Sequence, residues 1–404
     1  YTHEGGGGGR GKENQDTYFI AHPHADVAIY AVFDGHGKAY GRTASLAAAA
    51  SMKALLSRHH RWLLAQPEEA LRYAFREAHL AIQKAIMGSN PQLRMHEGSG
   101  SPYILQWMEE DGEYSWDAVD GGTTVTVVVA LRGQDLFVAT VGDSAVVMLG
   151  RTPSGSPVSE LLIAEHTPTS VSEYTRMRNL NTGSQVKFIY DCPDYDEDIN
   201  IFRDDDSGSA VLDEDTQRLA DDQGVMFKNS RDDRFTYVVI PEERLDLEAL
   251  PGVPGPAGDA QRTVVEEQTI TMTRSLGDFY PHRHGLTYEP EMRVLPLTFL
   301  SKRNIKSPLL LLASDGVWDI FDFDEVCEHL VPQPDARQVP PLETRASKFF
   351  EATRARGAYF FDEVRGPSPC EMQMSVCCIV LPLPVRGSQL ATSGVYASAS
   401  ADTF

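Results

Sequence analysis

The chain has 404 residues and carries a formal net charge of −22. Its hydrophobic fraction of 42% and charged fraction of 23% are typical of a globular protein with one large domain or two ordinary ones. The negative charge argues against a nucleic-acid binder, whose surface should be basic. The sequence contains no run of about 18 apolar residues, so no membrane span is predicted.

The cysteines predict a reducing compartment. The five cysteines lack the spacing of a disulfide framework, and Cys377 and Cys378 are adjacent in an apolar run. Such a pair is typical of buried thiols that are not cross-linked. We expect a cytoplasmic or nuclear location; because the chain begins at Tyr1 rather than Met, a targeting segment upstream stays open.

The first predicted elements are a hairpin and two helices. Short apolar runs separated by turn residues predict the strands, and apolar residues at helical spacing predict the helices. The predicted ranges are strands Thr17–Ile20 and Val27–Phe33, a helix from Gly41 to about Leu64 and a helix from about Pro67 to Met87. Residues 88–120, which are rich in Gly and Ser and then acidic, are expected to form an exposed connection or insertion.

The next segment is predicted to be mostly strands. They are Thr123–Leu131 and Leu136–Val141, joined by a hairpin turn, then Ala145–Leu149 and Leu161–Ala164. A short helix, Ser172–Asn179, should follow with Ser172 as its cap.

The middle of the chain contains an acidic tract, Asp191–Asp222, and a stretch rich in Pro and Gly, Pro251–Gly258. The tract is expected to be a solvated or disordered loop. An accessory cation site or a partner-docking loop is the alternative. Between the two segments, Phe235–Ile240 is predicted to be a strand.

The last elements complete an α+β pattern. The predicted ranges are strands Met292–Leu297, Leu309–Ala313 and Ser375–Leu383, and helices Phe323–Leu330 and Thr344–Gly357. A polar tail, residues 384–404, is expected to be disordered. Because the strands cluster into hairpins with two long helices between the first clusters, we expect antiparallel sheets covered by helices.

Three apolar runs end in aspartates that a metal ion could use. Asp34-Gly35 follows the first hairpin, Asp143 follows the second, and Asp315 follows a run of leucines. A carboxylate at a strand end and an unobstructed glycine carbonyl are ligands that a hard cation prefers. A single Asp-Gly pair after a strand is more often an ordinary turn. The recurrence predicts that the strand ends converge and form a metal centre.

Eight short motifs, each weak alone, occur together in one order. They are Glu13-Asn-Gln-Asp16, Asp34-Gly-His-Gly37, Gly122-Thr-Thr124, Val141-Gly-Asp143-Ser144, His166-Thr-Pro168, Thr273-Arg-Ser-Leu-Gly-Asp278, Glu289-Pro290 and Ala313-Ser-Asp-Gly-Val-Trp-Asp319. Over roughly residues 10–383 the sequence closely resembles the protein phosphatase 2C family of metal-dependent serine/threonine phosphatases.

The resemblance implies a fold and a domain plan. The fold would be a central antiparallel β-sandwich flanked by antiparallel helices, in four layers αββα. Residues 1–9 would be a flexible Gly-rich N-terminus and residues 10–383 the phosphatase domain, with an acidic insertion at about 185–262 forming a flap beside the active site. We expect a monomer that acts on phosphoprotein substrates.

The resemblance also implies a centre that holds two Mg²⁺ or Mn²⁺ ions. Asp34 would bridge the two metals, the Gly35 carbonyl would bind one, and Asp315 would bind the other. Asp143 and Asp319 match positions that, with Asp315, hold a weaker third metal in some relatives. Two divalent cations suit phosphomonoester hydrolysis because they activate water and neutralise phosphate oxygens.

Further roles follow from the same resemblance. Asp16 would orient water in the outer shell, and His36 matches the position of the family's proposed general acid. The residue that contacts substrate phosphate would be Arg10 or Lys12, and spacing does not decide between them.

The sequence departs from the family pattern at two places. Gln15 stands where one outer carboxylate is expected, and Met372 stands where the family has its last metal-binding Asp. A thioether is a poor ligand for Mg²⁺ or Mn²⁺, although Glu371 could reach the site if the backbone bulges. Two hypotheses therefore stay open: an active phosphatase, or a catalytically impaired relative that binds phosphoproteins or partners.

Overall fold

The computed structural model describes residues 14–97, 100–110, 113–131, 135–180, 186–191, 199–214, 216–217, 235–246, 262–296, 298, 303–359, 375–383 and 396–401. The strands are β1 (Thr17–His24), β2 (Val27–Phe33), β3 (Gly35–His36), β4 (Arg94–His96), β5 (Tyr103–Glu110), β6 (Glu113–Ala118), β7 (Gly122–Thr123), β8 (Val125–Leu131), β9 (Asp135–Val141), β10 (Ala145–Arg151), β11 (Pro157–Leu161), β12 (Lys187–Asp191), β13 (Ile199–Asn200), β14 (Phe202–Asp204), β15 (Ala210–Leu212), β16 (Phe235–Ile240), β17 (Glu243–Asp246), β18 (Arg262–Val265), β19 (Gln268–Ile270), β20 (Leu276–Gly277), β21 (Glu291–Pro296), β22 (Lys306–Ala313), β23 (Ser375–Pro382) and β24 (Tyr396–Ala401). The helices are α1 (Gly41–Arg58), α2 (His60–Ala65), α3 (Pro67–Ser89), α4 (Val171–Asn179), α5 (Phe279–Arg283), α6 (Asp315–Trp318), α7 (Phe323–Leu330) and α8 (Leu342–Tyr359).

Two five-stranded antiparallel sheets form the centre of the molecule. The first sheet has the order β1-β2-β8-β9-β21, and the second has the order β11-β10-β22-β23-β24. Strands β2, β8 and β10 are buried along their whole length. Because successive side chains of a strand point to opposite faces, a strand covered on both faces reads as a continuous apolar run.

Three buried apolar clusters separate the four layers of an α+β fold. Between the sheets lie side chains such as Tyr30, Val128, Met148, Leu310 and Ile379. The outer face of the first sheet packs on α1 and α3, through residues such as Ile29, Phe33, Met52, Phe75 and Ile82. The outer face of the second sheet packs on α7 and α8, through residues such as Val147, Leu311, Val326, Leu330 and Phe349. The expected αββα arrangement is confirmed.

The local predictions hold best where apolar spacing is regular. The first hairpin is confirmed, with Ile20 opposite Tyr30 in the antiparallel register. The helix predicted from Gly41 to Leu64 is wrong as a single element, because His59 leaves helical geometry and divides it into α1 and α2.

Residues 88–120 are not an exposed connection. They contain the three-stranded sheet β4-β5-β6, and Tyr103, Ile104 and Leu105 are fully buried. The Tyr103 ring packs on Tyr280 with centroids 5.0 Å apart, and its hydroxyl donates to Glu243 Oε2 at 3.0 Å. Because three consecutive residues are buried, the segment lacks the alternation that marks a strand in a sequence.

Two boundaries near residue 165 were also wrong. The strand predicted at Leu161–Ala164 ends at Leu161. Leu162 and Ile163 instead enter the core between the sheets, and Leu162 N donates to Val146 O at 3.0 Å. The cap of α4 is Ser170 rather than Ser172, and its hydroxyl accepts from the backbone of Glu173.

The acidic tract and the tail contribute ordered structure. Within the tract, β14 pairs with β15, and Phe202 stacks on Tyr174 with ring centroids 4.3 Å apart. Residues 192–198, 215 and 218–222 of the tract, like the Pro/Gly stretch 251–258, lie outside the described residues. The tail expected to be disordered contributes β24, which extends the second sheet beside β23.

Among the helices in the described ranges, none is both long and apolar enough to cross a membrane. The monomeric state and the cellular location stay predictions.

Burial of residues 103–105 predicts the effect of one substitution. Leu105→Ala is expected to lower the free energy of unfolding by about 3 kcal/mol, because a buried leucine leaves a cavity. Chemical denaturation followed by tryptophan fluorescence measures the loss. Leu80→Ala, at a position that is 37% exposed, is the control and should change stability by about 1 kcal/mol or less. If Leu105→Ala lowers the free energy of unfolding by no more than Leu80→Ala does, the burial of this sheet is contradicted.

Candidate metal centre

Three aspartates from distant parts of the chain meet at one end of the two sheets. Asp34, Asp143 and Asp315 each offer a carboxylate oxygen, and these oxygens all lie within 4.8 Å of one another. Asp34 follows β2, Asp143 lies between β9 and β10, and Asp315 begins α6 just after β22. The predicted convergence of the three strand ends is confirmed.

Hydroxyl groups of the Gly122-Thr-Thr124 motif fix the backbone of Asp34. Thr124 N and Thr123 Oγ1 both donate to Asp34 O at 2.9 Å. Asp34 N in turn lies 3.4 Å from Thr124 Oγ1. Three bonds to the main chain of one residue leave little freedom for the direction of its side chain.

Gly35 is required by a close approach of three backbone segments. A Cβ atom on Gly35 would lie 2.5 Å from Gln15 O and 2.6 Å from Gly41 O. Any larger residue would therefore push the 14–16 segment away from the loop that carries Asp34.

Asp16 directly precedes β1 and is fully buried. Its backbone N–H donates to Asn14 Oδ1 at 2.8 Å. Burial raises the pKa of Cys377 well above its ordinary value, and the nearby negative charges of Asp16 and Asp34 raise it further. The thiol is thus kept neutral beside the carboxylates. Cys327, Cys377 and Cys378 are buried unpaired thiols, as expected for a reducing compartment.

Asp143 is held by its two neighbours in the chain. Ser144 Oγ lies 2.7 Å from Thr124 Oγ1, which ties the Asp143 loop to the Asp34 loop. Gly142 N donates to His166 Nδ1 at 3.1 Å. Since Nδ1 accepts, His166 Nε2 carries the proton that faces Glu291 Oε2 at 3.3 Å. His166 of the His166-Thr-Pro168 motif thereby supports the loop that carries Asp143.

Asp315 and Asp319 occupy one turn of helix. Ser314 N donates to Cys377 O at 3.0 Å and Cys377 N donates to Ser314 Oγ at 2.9 Å, which fixes the entry to α6. Asp319 N donates to Asp315 O at 2.8 Å, so the two aspartates lie one turn apart, on one face. Asp143, Asp315 and Asp319 line a single cavity of about 770 Å³.

His36 is bound to a carboxylate that the sequence did not assign to the site. His36 Nε2 lies 2.7 Å from Asp278 Oδ2, and Ser275 Oγ donates to the same oxygen at 2.5 Å. In the small sheet β3-β7-β20, His36 and Gly277 both pair with Gly122. This register brings two segments that are 242 residues apart into contact.

The local backbone is shaped around the Asp278 carboxylate. A Cβ atom on Gly122 would lie 2.0 Å from Asp278 Oδ2, so only glycine leaves room for it. Burial by itself raises the pKa of Asp278, but the charge of His36 and hydrogen bonds from His36 and Ser275 outweigh it and hold the pKa below its ordinary value. The carboxylate is therefore ionised beside the imidazole.

A second buried carboxylate, Glu173, joins α4 to the Thr273 motif. Glu173 Oε1 accepts from Arg274 at 2.6 Å, and Oε2 accepts from Arg176 at 2.8 Å and from Thr273 Oγ1 at 3.0 Å. Burial alone would raise the pKa of Glu173, but hydrogen bonds and charges of the two arginines lower it to about 2. Sequence reasoning missed Glu173 because its short helix carries no family motif.

The structure places the predicted site residues unequally. It brings Asp34, Asp143 and Asp315 together, with Asp319 in the same cavity and His36 two residues from Asp34. Four residues singled out in the sequence lie outside the described residues. They are the expected phosphate contacts Arg10 and Lys12, the alternative metal ligand Glu371, and Met372.

Family comparison agrees with these motifs. Two family models, both described as Protein phosphatase 2C, match residues 8–184 and 257–357, together more than half of the chain. The chain belongs to the protein phosphatase 2C family. The two matches leave residues 185–256 between them, and the insertion expected at about 185–262 stays a prediction.

Individual members of the protein phosphatase 2C family are distant. Probable protein phosphatase 2C 73 of Oryza sativa subsp. japonica is 25% identical over 210 residues, 52% of this chain and 33% of that protein. Protein phosphatase 2C 16 of Arabidopsis thaliana is 32% identical over 94 residues, 22% of this chain and 17% of that protein. The chain thus spans a third or less of the length of these two relatives.

A solved structure with a similar chain course is that of serine-threonine phosphatase 2C from Toxoplasma gondii. It is 16% identical, with a TM-score of 0.47, and the match covers 88% of this chain and 89% of that one.

The Glu173 network predicts a pH-dependent loss of stability. Glu173→Gln is expected to lower the free energy of unfolding by about 3 kcal/mol at neutral pH, because two largely buried guanidinium groups lose their partner. The folded-state pKa of about 2 lies below the ordinary 4.5, so the stabilisation is present above pH 4.5 and is lost as pH falls toward 2.

Urea unfolding of both proteins between pH 2.5 and pH 7 measures this difference, with the exposed Glu267→Gln as control. If the difference in the free energy of unfolding between the wild type and Glu173→Gln stays constant over this pH range, the ionised network does not stabilise the fold.

Proposed function

We propose that this chain hydrolyses phosphoserine and phosphothreonine in proteins at a centre for two Mg²⁺ or Mn²⁺ ions, with a weaker third. The observation that carries the proposal is the set of three carboxylate oxygens within 4.8 Å of one another on three strand ends. Family membership supports it, because the ranges that match the family models, residues 8–184 and 257–357, contain all three aspartates.

The residues present fit hard divalent cations. Three carboxylates at this separation repel one another, and oxygen ligands are those that Mg²⁺ and Mn²⁺ prefer. Asp34, the Gly35 carbonyl and Asp315 would hold the two ions, and Asp143 and Asp319 would help to hold the weaker third. When bound, the ions supply charge neutralisation for the phosphate and activation of water.

The chain's own groups supply positioning and a proton. Asp16 orients water from its buried position, and Arg10 or Lys12 binds the phosphate. His36 protonates the departing serine or threonine oxygen. Since Nε2–H is directed at Asp278, Nδ1 is the ring atom that delivers this proton. The ionised Asp278 orients the ring and stabilises its protonated form.

The impaired relative is the second candidate function, and Met372 is the observation that favours it. A thioether in place of the family's last carboxylate removes a hard ligand from one metal. Such a chain would keep the fold and bind phosphoproteins with little turnover. The two candidates differ in whether metal addition produces hydrolysis.

The first test is hydrolysis of a phosphothreonine peptide against titrations of Mn²⁺ and Mg²⁺. We expect turnover that rises with metal and is lost in Asp315→Ala, because that change removes one of the three clustered carboxylates. Loss of about 10²-fold or more in kcat/KM is expected. Turnover that is independent of metal, or that survives in Asp315→Ala, would contradict the proposed centre.

Met372→Asp separates the two candidate functions. In an active phosphatase the change should lower the metal concentration needed for half-maximal turnover, because a carboxylate replaces a thioether. If the native chain shows no turnover at any metal concentration and Met372→Asp does, the chain is the impaired relative.

The Asp278–His36 pair predicts a dependence on the leaving group. Asp278→Asn should lower kcat for a phosphothreonine peptide by about 10²-fold, because an alkoxide needs a proton to leave. Turnover of 4-nitrophenyl phosphate, whose leaving group needs no proton, should change by about threefold or less.

His36→Gln is the matched variant and should show the same pattern. The double variant His36→Gln/Asp278→Asn should have a kcat for the phosphothreonine peptide close to that of either single variant, because the two residues act as a unit. Equal losses on both substrates would indicate a general structural defect instead of a proton-transfer defect.

A further inference from the structure

A groove leaves the metal centre along the N-terminal end of α7. The cavity of about 770 Å³ that contains Asp143, Asp315 and Asp319 continues over aromatic and acidic side chains. We call it the Trp318 groove, defined by Trp318, Phe321, Phe323, Glu165, Asp322 and Asp324. None of the described residues that line it is Lys, Arg or His.

The wall of the Trp318 groove is built on fixed elements. Trp318 Nε1 donates to Ala313 O at 3.0 Å, and its ring meets Phe323 edge to face with centroids 5.3 Å apart. Asp322 caps α7 through a capping box, and Asp324 Oδ1 accepts from Ser159 Oγ at 3.0 Å. A rigid wall of this kind loses little conformational entropy when a chain binds against it.

The charge of the groove extends beyond the metal-binding residues. Asp322 and Asp324 are exposed and Glu165 is half-buried, and these three lie outside the cluster of Asp34, Asp143 and Asp315. Cations bound at the cluster would offset its charge and leave the negative charge of the other three carboxylates facing the groove. Such a wall attracts ammonium and guanidinium groups and repels carboxylates.

Thr236 gives a second indication that a ligand enters. It lines the same cavity and is 1% exposed, and its hydroxyl oxygen has no hydrogen-bond partner within the part of the chain that the structure describes. Buried hydroxyl groups are nearly always paired, since an unpaired one costs free energy. A backbone or side-chain polar group of a bound peptide would supply the partner.

We propose that the Trp318 groove binds the segment of a phosphoprotein substrate that flanks the phosphorylated residue, and that it selects segments with Lys or Arg and an apolar side chain. Continuity with the proposed metal centre gives the location, because Asp143 and Asp315 line the same cavity as the groove residues. Charge complementarity gives the basic residue, and the aromatic wall gives the apolar one. This inference rests on the proposed phosphatase function and names its substrate class.

The test uses two phosphothreonine peptides of equal length, one flanked by Lys and Leu and the other by Glu and Ser. The double variant Asp322→Asn/Asp324→Asn keeps side-chain shape, and Asn preserves the helix cap at 322. In the wild type, kcat/KM should favour the basic peptide by about tenfold, and the variant should lose about fivefold of that preference. Turnover of 4-nitrophenyl phosphate, which has no flanking segment, should stay within about twofold of wild type.

Asp26→Asn/Asp335→Asn is the matched control, since it removes the same charge at exposed positions outside the groove. The same loss of preference in this control would show that overall charge, not the groove, selects the peptide. Equal kcat/KM for the two peptides in the wild type would overturn the proposal.

The apolar half of the proposal has its own test. Phe323→Ala and a Leu→Ser change in the basic peptide should be coupled, because each removes one side of the same contact. Additive effects would overturn this half.

Fluorescence anisotropy of the labelled peptides separates the inference from the proposed function. If no variant turns over any substrate, including 4-nitrophenyl phosphate, the phosphatase proposal fails. The groove is then judged by the Kd for the basic peptide alone. A Kd that rises about fivefold in Asp322→Asn/Asp324→Asn supports it, and an unchanged Kd overturns it.

Discussion

The mutual repulsion of Asp34, Asp143 and Asp315 is the constraint on which this structure depends. Two unit charges 4.8 Å apart repel by about 3.5 kcal/mol at an effective dielectric constant of about 20. The fold opposes that repulsion by anchoring each aspartate to the end of a buried strand. Three apolar layers hold these strands, and hydrogen bonds to the backbone around the aspartates add local support.

Neutral hydroxyl groups help to position the cluster. Thr124 Oγ1 lies 3.4 Å from Asp34 N and 2.7 Å from Ser144 Oγ, and Ser314 Oγ accepts from Cys377 N at 2.9 Å. Two arginines in the neighbouring motif, Arg176 and Arg274, are committed to Glu173. Neutral donors fix geometry without lowering the negative potential, and an arginine paired with its own carboxylate adds little to the field at a distance.

The sequence revealed local and strongly patterned features and missed those that depend on long-range register. The strands that precede Asp34 and Asp315 could be predicted from the sequence, because strands buried on both faces appear as apolar runs without polar interruptions. The sheet that contains Leu105 was missed because its surroundings are rich in Gly, Ser and acidic residues. Asp278 belonged to a recognised motif, yet its contact with His36 spans 242 residues and arises only when β3, β7 and β20 align.

The backbone conformation of Asp278 favours a functional role for its contact with His36. Asp278 has φ 43°, in the left-handed region that most residues avoid at a cost of roughly 1–2 kcal/mol. Glycine would adopt this turn more easily, but it could not bind His36. Strain that persists where a relaxed residue would fit indicates that the side chain is needed. The Asp278 carboxylate contacts both His36 and Ser275. The proposed general acid would need such a partner to hold its imidazole in one orientation.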